Sequence, residues 1–138
     1  MIYINSFGVV PLRQEKGQWQ VLLILHKEGN HWGFPKGKSN AGESPFDAAK
    51  RELLEETGLM IVRLLQDEPF SEQYCFRCRH QMISKTVSYF PAVVSGELKL
   101  QPEEIREGKW FAFHEALLML TFKEARNILQ TVINIVES

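Results

Sequence analysis

Three glutamates, Glu52, Glu55 and Glu56, stand at i, i+3 and i+4 within the run GKSNAGESPFDAAKRELLEETGL, from Gly37 to Leu59. On a helix this spacing gathers the carboxylates on one surface, where their repulsion opposes the helix unless positive charge sits against them. A hard divalent cation is the natural partner. Mg²⁺ prefers oxygen ligands, keeps several waters, and is commonly held by one or two carboxylates together with substrate phosphates. The bland alternative is a solvated acidic face, so the rest of the segment has to decide.

The element that must present these carboxylates is well signalled. Ser44 is placed to cap, Pro45 suits the first helical position, and Asp47 follows Ser44 in capping-box spacing. Gly58 suits the left-handed residue that ends many helices, so the expected span is Pro45 to Thr57. Ala48, Ala49 and Leu53 give this helix a narrow apolar side, and Arg51 is available to pair with nearby acids. Gly37 and Gly42 bracket a tight loop that can fold back and bring Glu43 towards the cluster.

Gly37, five residues, Glu43, seven residues, then Arg51-Glu52-Leu53-Leu54-Glu55-Glu56-Thr57-Gly58-Leu59 resembles the complete signature of the Nudix hydrolases over residues 37–59. The resemblance implies a loop–helix–loop metal site and hydrolysis of a nucleoside diphosphate linked to a further group. It implies Mg²⁺, or Mn²⁺ in its place, as cofactor. Bound metal neutralises phosphate charge and activates water, leaving the protein mainly positioning and electrostatics to supply.

Composition fits a small enzyme. A chain of 138 residues with 44% hydrophobic content suits one domain, 1–138, with a proper core. A net charge of −1 gives no general attraction to nucleic acid or membrane, which leaves room only for a local basic patch. No segment approaches the roughly 20 apolar residues of a membrane span, and MIYINSFGVV does not read as a signal peptide, so the cytoplasm is expected. Cys75 and Cys78 form a single Cys-x-x-Cys without the second pair a structural zinc site needs. Two reduced thiols, one or both buried in a strand, are expected.

Strands are expected at Ser6–Val10 and Trp19–Leu25 around a turn with Gly17, near Ile61–Leu65, through Thr86–Val94, and at Lys109–Phe113. Pro91 marks the fourth of these as an edge strand or a bulge. A C-terminal packing helix opens with Thr121 and Glu124 in capping-box spacing and runs through Ile128, Leu129, Val132, Ile133 and Val136. The pattern is α/β (α+β), a mixed sheet between two principal helices, as in the α/β/α sandwich of the Nudix family.

A narrower resemblance bears on substrate. HWGFPKG at His31–Gly37, KTVSYF at Lys85–Phe90, EEIREGKWFAFHEA and TFKEARNIL are similar to the asymmetrical diadenosine tetraphosphate hydrolases, a similarity running from about Gly8 to Leu129. It departs at Gly33 and Phe34, where animal members carry HWTPPKG, and the alignment of Tyr74 needs a gap. Carried over, the resemblance implies Glu52, Glu55, Glu56 and Glu104 around the metal, with either Glu56 or Glu104 orienting or deprotonating water. Glu103 competes with Glu104; counting back from Trp110 selects Glu104. His31 and Lys36 would hold bridging phosphate oxygens. Arg77, Arg79, His80 and Lys85 form the densest basic stretch and could line the polyphosphate, with a solvated loop as the alternative. In a hairpin Arg77 and Arg79 would share a face. Tyr74 and Phe122 would stack the base, although either could be core and Phe122 could be a hydrophobic staple.

The reaction expected is Mg²⁺-dependent hydrolysis of diadenosine tetraphosphate to ATP and AMP by a monomer, a dimer being left open. A small dinucleoside polyphosphate is then the partner, with no obligate nucleic acid and no membrane. Removal of pyrophosphate from triphosphorylated RNA ends is the rival within the same chemistry. A nucleotide-binding regulator without turnover is the rival outside it.

Overall fold

The computed structural model describes all residues 1–138. Its strands are β1 (Ile2–Glu15), β2 (Gln18–His26), β3 (His31–Gly33), β4 (Lys36–Lys38), β5 (Met60–Leu64), β6 (Phe70–Cys78), β7 (Gln81–Ser95) and β8 (Ile105–Ala112). Its α-helices are α1 (Pro45–Thr57), α2 (Phe113–Met119) and α3 (Lys123–Glu137). The sheet runs β3-β2-β1-β7-β5, with β4 added to β1, β6 to β7 and β8 to β2. Only β1 and β7 pair in parallel, so the sheet is mixed.

Successive residues of a strand face opposite sides, so a sheet buried on both faces needs continuous apolar runs. Val9 and Val10, and Leu22 and Leu23, divide in this way. Val9, Leu22 and Ile24 pack under α1 with Ala49, Leu53 and Phe90. Val10, Val21 and Leu23 pack with Ala116 of α2 and Leu129 and Val132 of α3. An α/β/α sandwich results, as expected. No helix is long and apolar enough to cross a membrane.

Helix α1 occupies the expected span. Ser44 Oγ accepts from the Asp47 N–H at 3.1 Å, and Gly58, at φ 78°, donates its N–H to the Leu54 carbonyl at 2.9 Å. Elsewhere the sequence reading needs correction. Strands β1, β7 and β8 are longer than expected, Phe113 begins α2 rather than ending a strand, and α2 makes a third helix. Pro91 lies in the interior strand β7, opposite Val10 of β1 and next to the gap between β5 and β6. Across that gap no ladder bond from a proline N–H is needed, and its carbonyl accepts from the Leu65 N–H at 2.9 Å. The expected cap on α3 does not form either. Thr121 Oγ1 accepts instead from the Trp32 N–H at 2.9 Å, leaving Phe122 as a cap without a side-chain hydrogen bond. Cys75 and Cys78 are both free and exposed, because β6 projects beyond the core and neither face of its outer end is covered.

Candidate active site

Strand β4 lies against β1 at the mouth of the sheet and brings the loop 36–43 over α1. At Gly37 the approach is so close that a Cβ would overlap the Glu52 carboxylate, and so a residue with a side chain would push the two apart. Arg51 fixes the rest of the loop. Its guanidinium donates to both Glu43 oxygens at 2.8 and 3.0 Å, to Glu52 at 2.9 Å, to Glu55 at 3.2 Å and to the Lys38 carbonyl at 2.8 Å. Glu43 also accepts from the Asn40 N–H at 2.8 Å. Hydrogen bonds from Arg51 and Asn40 hold the Glu43 carboxyl below its ordinary range. The guanidinium, bonded first to Glu43, is held above its own.

Glu56 is placed differently, with only 2% of its surface exposed although it is an acid. One oxygen accepts from the Lys36 N–H at 3.2 Å. Burial, then the negative charges of Glu52 and Glu104, push its carboxyl up to about 8. The segment carrying Glu104 is strapped between two elements. Lys99 and Gln101 donate to the Thr57 and Glu56 carbonyls at the end of α1, at 2.8 and 3.0 Å, and the Glu104 carbonyl accepts from the Lys27 N–H at 2.9 Å.

These groups open on a cavity of about 820 Å³. Glu52, Glu56, Glu103 and Glu104 line it, and so do Lys36, Lys85, His31, Tyr74 and Phe122. Glu55 does not; it is half exposed and turned to Arg51. Glu103 and Glu104 both reach the cavity, but it is the Glu104 charge that acts on Glu56. Lys85 faces other cations, and burial, then Lys36, lower its pKa. The lining thus brings carboxylates and lysines together in one cavity, which suits a polyanion carried with its own cation.

His31 is less cationic than the sequence reading expected. Burial, then Lys36 and Lys85, lower its pKa, and it stacks on His26 with centroids 4.6 Å apart. His26 is pushed down to about 3 by burial and by His31. The Phe122 ring is 5.0 Å from that of His31 and about half exposed, so it is not a buried staple. Arg77 and Arg79 do not line the cavity. Strand β6 ends at Cys78, and Arg79 turns into the left-handed region at φ 59°, so the alternation that would align the two is broken. His80 follows it in the same turn.

Among the lining residues that the sequence reading did not single out are His26, Lys38, Glu72 and Tyr89. Glu72 was recoverable, since it stands two residues before Tyr74 on the same strand face.

No three acidic, imidazole or thiol side chains are gathered closely enough to hold a metal ion by themselves. Mg²⁺ does not need one, because waters and substrate phosphates complete its coordination. The donor set of Glu52, Glu56 and Glu104 is all hard oxygen, and the buried Glu56 carboxylate stands among like charges. These residues fit such an ion.

A NUDIX domain model matches residues 3–132. The chain therefore belongs to the Nudix family of hydrolases. It is 33% identical over 115 residues to a mouse bis(5'-nucleosyl)-tetraphosphatase [asymmetrical], covering 80% of this chain and 76% of that one. It is 34% identical over 117 residues to an RNA pyrophosphohydrolase of Bartonella bacilliformis, covering 80% of this chain and 61% of that one. Among solved structures, a Caenorhabditis elegans Ap4A hydrolase binary complex superposes with a TM-score of 0.75 at 21% identity, covering 97% and 98% of the two chains, a likeness of fold.

Proposed function

We propose that this chain, acting as one domain, hydrolyses dinucleoside polyphosphates in a Mg²⁺-dependent reaction, with diadenosine tetraphosphate cut to ATP and AMP. The observation that carries this reading is the cavity lined by buried Glu56, with Glu52 and Glu104, and by Lys36 and Lys85. Similarity to the mouse tetraphosphatase supports the substrate class.

Glu52, Glu56 and Glu104 would hold the metal, and Glu55 would serve through Arg51. When bound, the metal neutralises phosphate charge and makes water more acidic. A bond forms between water oxygen and one phosphorus while a bridging P–O bond breaks, and either Glu56 or Glu104 accepts the water's proton. Lys36 and Lys85 hold the phosphate oxygens and stabilise charge on the departing nucleotide. His31 donates a hydrogen bond there, and an approaching phosphate favours its protonated form. Tyr74 and Phe122 give the base flat, partly exposed rings.

A second reading, pyrophosphate removal from triphosphorylated RNA, is favoured by Arg77, Arg79 and His80 at the tip of the exposed β6–β7 hairpin, beyond Tyr74 and Phe76. The test is chromatography of products from diadenosine tetraphosphate and from triphosphorylated RNA, each with Mg²⁺ and with chelator. ATP and AMP appearing only with Mg²⁺ is the expected result. Nucleotide binding without hydrolysis of either substrate would instead make the chain a regulator.

A further inference from the structure

Glu72 carries the one buried side-chain polar atom in the molecule that has no hydrogen-bond partner, its Oε2. It also makes no ion pair. Burial, then the charge of Glu124, push its carboxyl up to about 7, while Lys36 and Lys85 act the other way. Evolving or folding chains rarely leave such an acceptor idle, since a buried polar group without a partner is unfavourable.

Its position says what the partner is. Glu72 lines the cavity, on the same strand face as Tyr74. Directly opposed residues share a face, so Tyr74 stands beside Lys85, and Glu72 beside Val87 in the next row. Two residues of strand advance about 6.6 Å, which is on the scale of a purine. A ring packed on Tyr74 therefore carries its edge past Glu72, while Lys85 in the Tyr74 row meets the phosphates. An unpartnered carboxylate oxygen accepts, so the matching ligand group is an N–H donor, whose approach favours the ionised form. Adenine offers one in its exocyclic amine.

We propose that Glu72 reads the nucleobase: its free carboxylate oxygen accepts a hydrogen bond from the exocyclic amine of a purine packed on Tyr74. This assignment rests on the reading of the cavity as a nucleotide site. It adds selectivity for the base, which the metal and phosphate groups cannot supply.

The test is calorimetric binding of ATP and of purine riboside triphosphate, which lacks the amine, in Mg²⁺ on Glu56→Gln protein, where turnover is suppressed. ATP should bind about tenfold tighter than the analogue. Glu72→Leu should bring the two together by weakening ATP alone, and Glu72→Gln, which keeps an acceptor oxygen, should preserve most of the preference. Equal affinities with Glu72 intact overturn the proposal, as does a preference that survives Glu72→Leu or failure of both nucleotides to bind. The first comparison needs no change at position 72, so it stands even should Glu72→Leu fail to fold. Absence of diadenosine tetraphosphate hydrolysis would sink the catalytic reading, whereas the ratio of the two affinities reports on Glu72.

Discussion

The loop and helix from Gly37 to Thr57 and the hairpin formed by β6 and β7 supply facing parts of one cavity, yet they are held in opposite ways. In the first, one guanidinium ties Glu43, Glu52, Glu55 and the Lys38 carbonyl together, and a glycine admits the Glu52 carboxylate to van der Waals limits. In the second, Tyr74 and Phe76 are partly exposed with rings 6.5 Å apart, and Glu72 keeps an unbonded oxygen. Chemistry at phosphorus tolerates little misplacement, so its groups are locked by charge-assisted bonds. On the function proposed above, the second wall meets the rest of the substrate, and it is left adaptable.

The sharpest way to break this contrast is at the locked wall. Glu56→Gln should lower turnover by at least about a hundredfold while the far-ultraviolet spectrum and melting temperature stay native-like, since it removes charge where the reaction needs it. Near-normal steady-state rates would remove Glu56 from the machinery. Arg51→Ala should come next, with about 2 kcal/mol lost in denaturant unfolding and turnover down about tenfold, because three carboxylates lose their shared counter-charge. An Arg51→Ala protein with unchanged stability would mean that the loop is held by other contacts.

The adaptable wall should respond to pH through Glu72. Its folded pKa of about 7 lies above the ordinary 4.5, so below pH 4.5 the acid is neutral in both states and adds no penalty. Between pH 4.5 and 7 the unfolded chain releases a proton that the folded chain retains, and stability falls as pH rises. Glu72→Gln should therefore raise the melting temperature at pH 8 by about 3 °C more than at pH 5. An equal shift at both pH values would show that the carboxyl titrates normally.

The two regions also differed in how much of them could be read in advance. Local signals govern the first: Ser44, Pro45 and Gly58 set the helix ends by short-range geometry, and the spacing of Glu52 and Glu56 follows from the helical period. The buried state of Glu56 was not legible, because it depends on the 98–104 segment returning from far along the chain to bond the end of α1. The hairpin depends on pairing and exposure. Cys75 and Cys78 look like buried thiols by residue type, yet β6 extends past the core; Arg79 breaks strand alternation through a backbone turn that its side chain does not announce. Thr121 capped nothing because Trp32, distant in sequence, offered its Oγ1 another donor.

The smallest effect expected is at the hairpin tip, and it divides the two substrates. Arg77 and Arg79 are exposed and absent from the cavity lining, so replacing both with Ala should change kcat/KM for diadenosine tetraphosphate by less than about twofold at moderate salt. RNA extending from the cavity would run along the hairpin, where each phosphate contact adds a salt-dependent increment. If triphosphorylated RNA is the substrate that matters, the double variant should lose about tenfold on RNA at low salt and little at high salt. Parallel salt titrations of both reactions measure that difference, and equal small losses on both would leave the tip without a role in binding either substrate.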